Sequence, residues 1–235
     1  MEWGLGADKN DPVVVDQVRK FVNAAGTAAE NQRGMALPGT LIVNRQGRVT
    51  SRFFEEFYAE RNTTETIMLR TGATGASVPG TKISTAQLDV TTHASDAVIA
   101  PGNRFSLILD VTPHAGMHVY ASGASGYKPI AVTMAPQPFV QIRPMRYPPS
   151  ETYFFKPLNE RVPVFLKPFR LVQEVVLEGT RDAMSALQGK ESITLSGTVD
   201  YQACDEKVCY NPTTVPVTWT VSLKPLIRER PLPTP

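Results

Sequence analysis

Two cysteines, Cys204 and Cys209, are the only thiols in the chain, and four residues (Asp205-Glu206-Lys207-Val208) separate them. Closing so small a ring removes little entropy from the unfolded chain, roughly 2 kcal/mol on the loop-closure argument. A pair this close is a poor framework for 235 residues and a candidate for reversible thiol–disulfide exchange through a thiolate. A local structural disulfide and two unpaired thiols are the alternatives that spacing leaves open. Asp205 and Glu206 disfavour a thiolate electrostatically and Lys207 favours one, so the sign of their sum is open. Zinc would need further ligands, and His93, His114 and His118 offer no tightly spaced pair, so no metal is expected. His114 and His118 flank Gly116 in a strand-turn context, which suggests a surface or turn role. Nothing signals the oriented Cys–His pair of a cysteine protease.

The elements that must position the pair are short and β-prone. Runs recur at Ile83–Thr92, Phe105–Thr112, His118–Ala121, Ile130–Met134, Phe139–Ile142, Val162–Leu166, Leu171–Leu177, Ile193–Tyr201 and Val215–Leu223. Turn markers such as Pro101-Gly102-Asn103 and Gly189-Lys190 separate them. Many short strands with almost no helix predict an immunoglobulin-like antiparallel β-sandwich over 81–223. Trp219, with a threonine on each side, fits an inward aromatic on the last strand. The cysteines then fall at a β-turn at one end of the sandwich, where partners have access. A tight turn brings their Cα atoms into the roughly 4.4–6.8 Å window of a disulfide.

Residues 1–70 read differently, as α/β. Val14, Val15, Val18, Phe21 and Val22 recur at helical spacing. Leu37 to Val43 and Val49 to Phe54 flank Asn44-Arg45-Gln46-Gly47, a β-hairpin signal in which Gly47 supplies positive φ. Asn62 with Glu65 resembles a capping box opening a short helix. Residues 71–80 are a small-residue linker and 224–235 a proline-rich tail. A net charge of +2 gives no nucleic-acid footprint, and no apolar run is long enough to span a bilayer. The first residues lack the basic-then-apolar pattern of a secretory signal, so the chain is expected to be a fragment or a cytosolic protein.

Two resemblances sharpen these expectations. Val199-Asp200-Tyr201-Gln202-Ala203-Cys204 through Cys209-Tyr210-Asn211-Pro212 resembles the N-terminal periplasmic domain of the thiol:disulfide interchange protein DsbD family, as does Gly116-Met117-His118-Val119-Tyr120. Pro148 to Lys156 falls where that family has its cap loop. The resemblance implies an immunoglobulin-like fold that shuttles electrons, with Cys209 as the attacking cysteine and Cys204 as the resolving one. It implies site-lining roles for Tyr120, Tyr201 and Tyr210, and a cap aromatic at Phe154 or Phe155. It also implies a periplasmic or otherwise extracytoplasmic location and no cofactor. Partners would be thioredoxin-like proteins or a membrane electron donor, with disulfide-containing proteins as substrates. The family's best-known member has five residues between its cysteines, one more than here.

Residues 1–70 are similar to the C-terminal half of a thioredoxin-like or redoxin domain, through Pro38-Gly39-Thr40 and Ile42-Val43-Asn44-Arg45-Gln46-Gly47-Arg48-Val49. That match makes Pro38 the candidate cis-proline. The unit that would carry the nucleophile is missing, so the region is expected to be redox-dead. The alternative function is a non-catalytic adaptor sandwich with a structural disulfide, appended to a peroxiredoxin-like or thioredoxin-like enzyme.

Overall fold

Along the last strand, Val215, Val217, Trp219 and Val221 are buried while Pro216, Thr218, Thr220 and Ser222 are exposed. That period of two is what a strand with one face on a core requires. The computed structural model describes residues 39–54, 60–72, 78, 80–155 and 159–224. Two compact units divide the chain, Met1–Tyr58 and Ala59–Pro235.

In the first unit, β1 (Gly39–Val43) pairs antiparallel with β2 (Val49–Phe54). Asn44 Oδ1 accepts the N–H groups of Gln46 (3.0 Å) and Arg48 (2.9 Å), and Gly47 adopts φ 75° as the hairpin demands. Pro38 and the helix expected over residues 14–22 lie outside the described residues.

The second unit is mainly β. The remaining strands are β3 (Arg61–Asn62), β4 (Thr81–Ser84), β5 (Leu88–Ala94), β6 (Val98–Ile99), β7 (Asn103–Pro113), β8 (His118–Tyr120), β9 (Ala131–Met134), β10 (Val140–Ile142), β11 (Glu151–Phe155), β12 (Glu160–Phe165), β13 (Phe169–Leu177), β14 (Ser192–Tyr201), β15 (Ala203–Cys204) and β16 (Thr213–Leu223). One sheet runs β10-β13-β7-β5-β4, with β3 also on β7; a second runs β6-β16-β14-β9. Leu107, Leu109, Leu171 and Val175 of the first share one core with Leu195, Val199, Val217 and Trp219 of the second. The Trp219 indole N–H reaches across to the Ile108 carbonyl at 3.2 Å. This is the expected immunoglobulin-like sandwich, with Trp219 inward. A third sheet, β11-β12-β8-β15, carries the cysteine end. Among the described residues, no helix is long and apolar enough to cross a membrane.

Three expectations need correction. The helix α1 (Thr64–Arg70) belongs to the sandwich unit and not to the region before it. Its Thr66 is fully buried, with Oγ1 3.3 Å from both Ser95 Oγ and Ser106 Oγ on the sheet, and the Arg70 Nε donates to Glu174 Oε1 at 2.5 Å. Its cap is Thr63, whose Oγ1 accepts the Thr66 N–H at 3.2 Å, because Asn62 is drawn into β3. The run expected as one strand over Ile83–Thr92 folds back on itself, since Thr85 Oγ1 accepts the N–H groups of Gln87 and Leu88 and forces a turn between β4 and β5. A second helix, α2 (Arg181–Leu187), joins β13 to β14, capped by Thr180.

Candidate functional site

After Tyr201 the chain leaves the β14 sheet and enters β15, which pairs with β8 so that Ala203 faces Val119 and Cys204 faces His118. Gln202 is the pivot. Its Oε1 accepts the Lys128 N–H at 2.9 Å, its Nε2 donates to the Tyr210 carbonyl at 3.1 Å, and its own carbonyl accepts the Tyr120 N–H at 3.3 Å.

Beyond Cys204 the chain reverses at once. The Asp205 N–H donates to the Val208 carbonyl (2.9 Å), while Asp205 Oδ1 accepts the N–H groups of Lys207 and Val208 (both 2.7 Å). Those bonds hold the Asp205 carboxyl below the usual carboxylate range, the Lys207 N–H contributing most. Tyr210 closes the turn, its N–H to the Ala203 carbonyl (2.9 Å) and its O–H to Asp205 Oδ2 (3.0 Å). Cys204 and Cys209 are therefore opposed in an antiparallel bridge whose hydrogen bonds lie on either side of them. Such pairs approach to about 4.5 Å between Cα atoms, and here the separation is 4.1 Å, shorter than the range expected for disulfides in general. The two sulfurs are bonded, which sets aside the unpaired-thiol alternative for this state.

The two sulfurs sit in unequal surroundings. Cys204 is fully buried, whereas Cys209 is exposed at the tip. Tyr120, itself 1% exposed, donates its O–H to Cys204 Sγ at 3.1 Å and lies 3.5 Å from Cys209 Sγ. A disulfide carries no proton, so the phenol must be the donor. Burial, followed by the neighbouring Tyr127, pushes the Tyr120 ionisation well above its ordinary range, so the donor stays protonated. Tyr120 stacks on Tyr127 (centroids 4.1 Å apart, 13° between planes), and the Tyr127 O–H donates to Glu160 Oε2 at 3.0 Å.

Other residues singled out from the sequence fall elsewhere. Tyr201 turns into the main core and donates to Thr85 Oγ1 (2.9 Å) and is 3.1 Å from Gln87 Oε1, so it anchors the end of β14. Tyr210 braces the Asp205 turn. Residues expected in a cap loop form strand β11 over Glu151–Phe155, an edge strand paired with β12. Phe154 is exposed on its outer side beneath the Arg161 guanidinium, 5.4 Å from the ring centroid, and Phe155 is buried. Neither belongs to the cluster that encloses Cys204; Tyr127 and Tyr153 do, with Tyr120, Ala124, Val162 and Val164.

His118 is a further correction. It is buried, not at a surface or turn, and its ring lies 4.5 Å from that of Tyr153 and edge-on to Tyr120 at 5.5 Å. Burial lowers its basicity, opposed by the Asp205 charge. The signal for it was the His118-x-Tyr120 alternation, which puts both rings on one face of a strand. Among the described residues no cluster of three or more His, Cys, Asp or Glu is placed to hold a metal.

None of the curated proteins matches the chain. Among solved structures, the N-terminal periplasmic domain of ScsB from Proteus mirabilis matches with a TM-score of 0.44 and 12% identity, over 62% of this chain. The match spans 51% of that chain, about half its length. The family profile described as thiol:disulfide interchange protein DsbD, N-terminal, matches residues 86–220. Those residues take in β8, the Gln202 pivot and both cysteines, more than half of the chain, and place this protein in the DsbD N-terminal domain family.

Proposed function

We propose that the second unit passes electrons through the Cys204/Cys209 pair between a thioredoxin-like partner and extracytoplasmic disulfide substrates. The observation that carries the reading is the inequality of the two cysteines: Cys209 is an exposed residue and Cys204 is enclosed beneath Tyr120. In the reduced form, the Cys209 thiolate attacks a substrate disulfide and one substrate thiolate leaves. Cys204 then attacks Cys209 Sγ and expels the second substrate thiolate. The substrate gains two electrons and the pair becomes the disulfide seen here. A partner dithiol attacking Cys209 resets it by the reverse sequence: Cys204 is the first sulfur to leave, and the partner's second thiol then releases Cys209 and closes the partner disulfide. Family membership supports the chemistry, and a periplasmic setting suits a protein whose disulfide must persist between turnovers.

For the first unit, the Pro38-Gly39-Thr40 step and the β1–β2 hairpin support the reading of a redoxin-like region, and residues 1–58 hold no cysteine. Equilibrating the full chain against defined ratios of reduced and oxidised glutathione tests the exchange reading. An exchange site titrates within reach of such a pool. A structural staple stays oxidised, with a potential below about −300 mV, and that result would favour the adaptor alternative.

A further inference from the structure

Exchange at this site requires a proton to come and go at a sulfur that water does not reach. Cys204 is fully buried, and a thiolate confined there is disfavoured by desolvation. The proton must therefore move as the S–S bond forms or breaks. Tyr120 serves poorly, because burial holds its phenol protonated, and Tyr127 is shifted the same way while its O–H is committed to Glu160. Asp205 is held ionised by two N–H groups and the Tyr210 O–H.

His118 remains. It is the cross-strand partner of Cys204, and partners directly opposed in an antiparallel pair project from the same face with Cβ atoms about 4.5–5.5 Å apart. Its side chain is buried, and Nε2 is a fully enclosed nitrogen with no hydrogen-bond partner. An orphaned buried polar atom calls for an explanation, and the oxidised state supplies none. We propose that His118 is the proton shuttle of Cys204: Nε2 takes the thiol proton as the disulfide forms and passes it to the substrate thiolate that leaves, and in the reverse direction it takes the proton of the attacking partner thiol and delivers it to the departing Cys204 sulfur. The inference rests on the exchange reading above.

The groups around the imidazole suit that role. Tyr120 on its own strand and Tyr153 on β11 hold the ring in place, Cys204 faces it from β15, and the Asp205 carboxylate in the turn is the charge that steadies a transient imidazolium. At rest, burial keeps the ring neutral and ready to accept.

The test uses His118→Phe in the full, pre-reduced chain, mixed with an aromatic disulfide that releases a coloured nitrothiobenzoate at each step. The first release reports attack by Cys209 and the second reports resolution by Cys204. Wild type should show a second phase governed by an ionisation between about pH 5 and 8. His118→Phe should leave the first phase unchanged and slow the second about 10²-fold near neutrality. Its rate should then climb about tenfold per pH unit through and beyond the ordinary thiol range, because burial disfavours the Cys204 thiolate. A second phase matching wild type in rate and pH dependence overturns the proposal. A wild-type chain with no second release overturns the exchange reading itself, a distinct outcome. As a check that needs no variant, the His118 ¹⁵Nε2 resonance should move when the wild-type disulfide is reduced; an unmoved resonance also overturns the proposal.

Discussion

Replacing Tyr120 by Phe removes one hydroxyl and little else, because the ring keeps its stack on Tyr127 at 4.1 Å. In the oxidised protein that hydroxyl donates to a neutral disulfide sulfur at 3.1 Å, a bond whose net value is about 1 kcal/mol or less. When a dithiol attacks Cys209, negative charge develops on Cys204 Sγ and the same donor now serves a charged acceptor, worth about 1.5–3 kcal/mol. The difference, about 1–2 kcal/mol, acts only on the reacting state and corresponds to about a 5- to 30-fold slower reduction. Stopped-flow reduction by excess dithiothreitol at fixed pH measures it, with urea unfolding of the oxidised protein as the control. A rate equal to wild type refutes the reasoning. So does a slower rate accompanied by an equally large loss of stability, since Tyr120 would then act through the fold.

Arg70→Ala should lower the urea midpoint by the equivalent of about 1–3 kcal/mol, because it strips the main partner from the buried Glu174 carboxylate. Arg146, 3.4 Å from Glu174 Oε1, keeps the loss from being larger, and the exchange rate should not change. Asp96 accepts from Ser95 Oγ (2.6 Å) and Thr63 Oγ1 (2.8 Å), yet burial outweighs those bonds and raises its pKa from 3.8 to about 6. Between those values the folded state binds more protons than the unfolded state, so this group makes stability fall as pH rises from about 4 to 6. Asp96→Asn should remove that decline. His93 and His118, both of lowered basicity, act oppositely by losing stability as pH falls through 6.5, so the difference between variant and wild-type curves is the quantity to compare. Parallel curves would contradict the assignment.

The sandwich was legible because its strands alternate, as Val215 to Val221 do, and local periodicity survives into three dimensions. Elements whose fate depends on distant partners were less legible. Helix α1 looked like part of the preceding region until Thr66 met Ser95 and Ser106, 29 and 40 positions away. The same holds at the site. The cysteines and Tyr120 were visible as a motif, whereas Tyr127, Tyr153 and the burial of His118 arise from the pairing of β8 with β12 and β15 and of β11 with β12. The run Tyr153-Phe154-Phe155 shows the limit plainly. Its composition names three aromatics, and only the strand's alternation turns Tyr153 toward His118 and Phe154 outward.

The central claim is that partners meet this protein at Cys209 and that Cys204 resolves the encounter. Cys204→Ser in the full chain, incubated with an oxidised thioredoxin-like protein and analysed by mass spectrometry without reductant, tests it most directly. A stable mixed disulfide on Cys209 is the expected result, with no such adduct accumulating on Cys204 in the Cys209→Ser chain. No adduct on either variant, or trapping through Cys204 instead, would contradict the account.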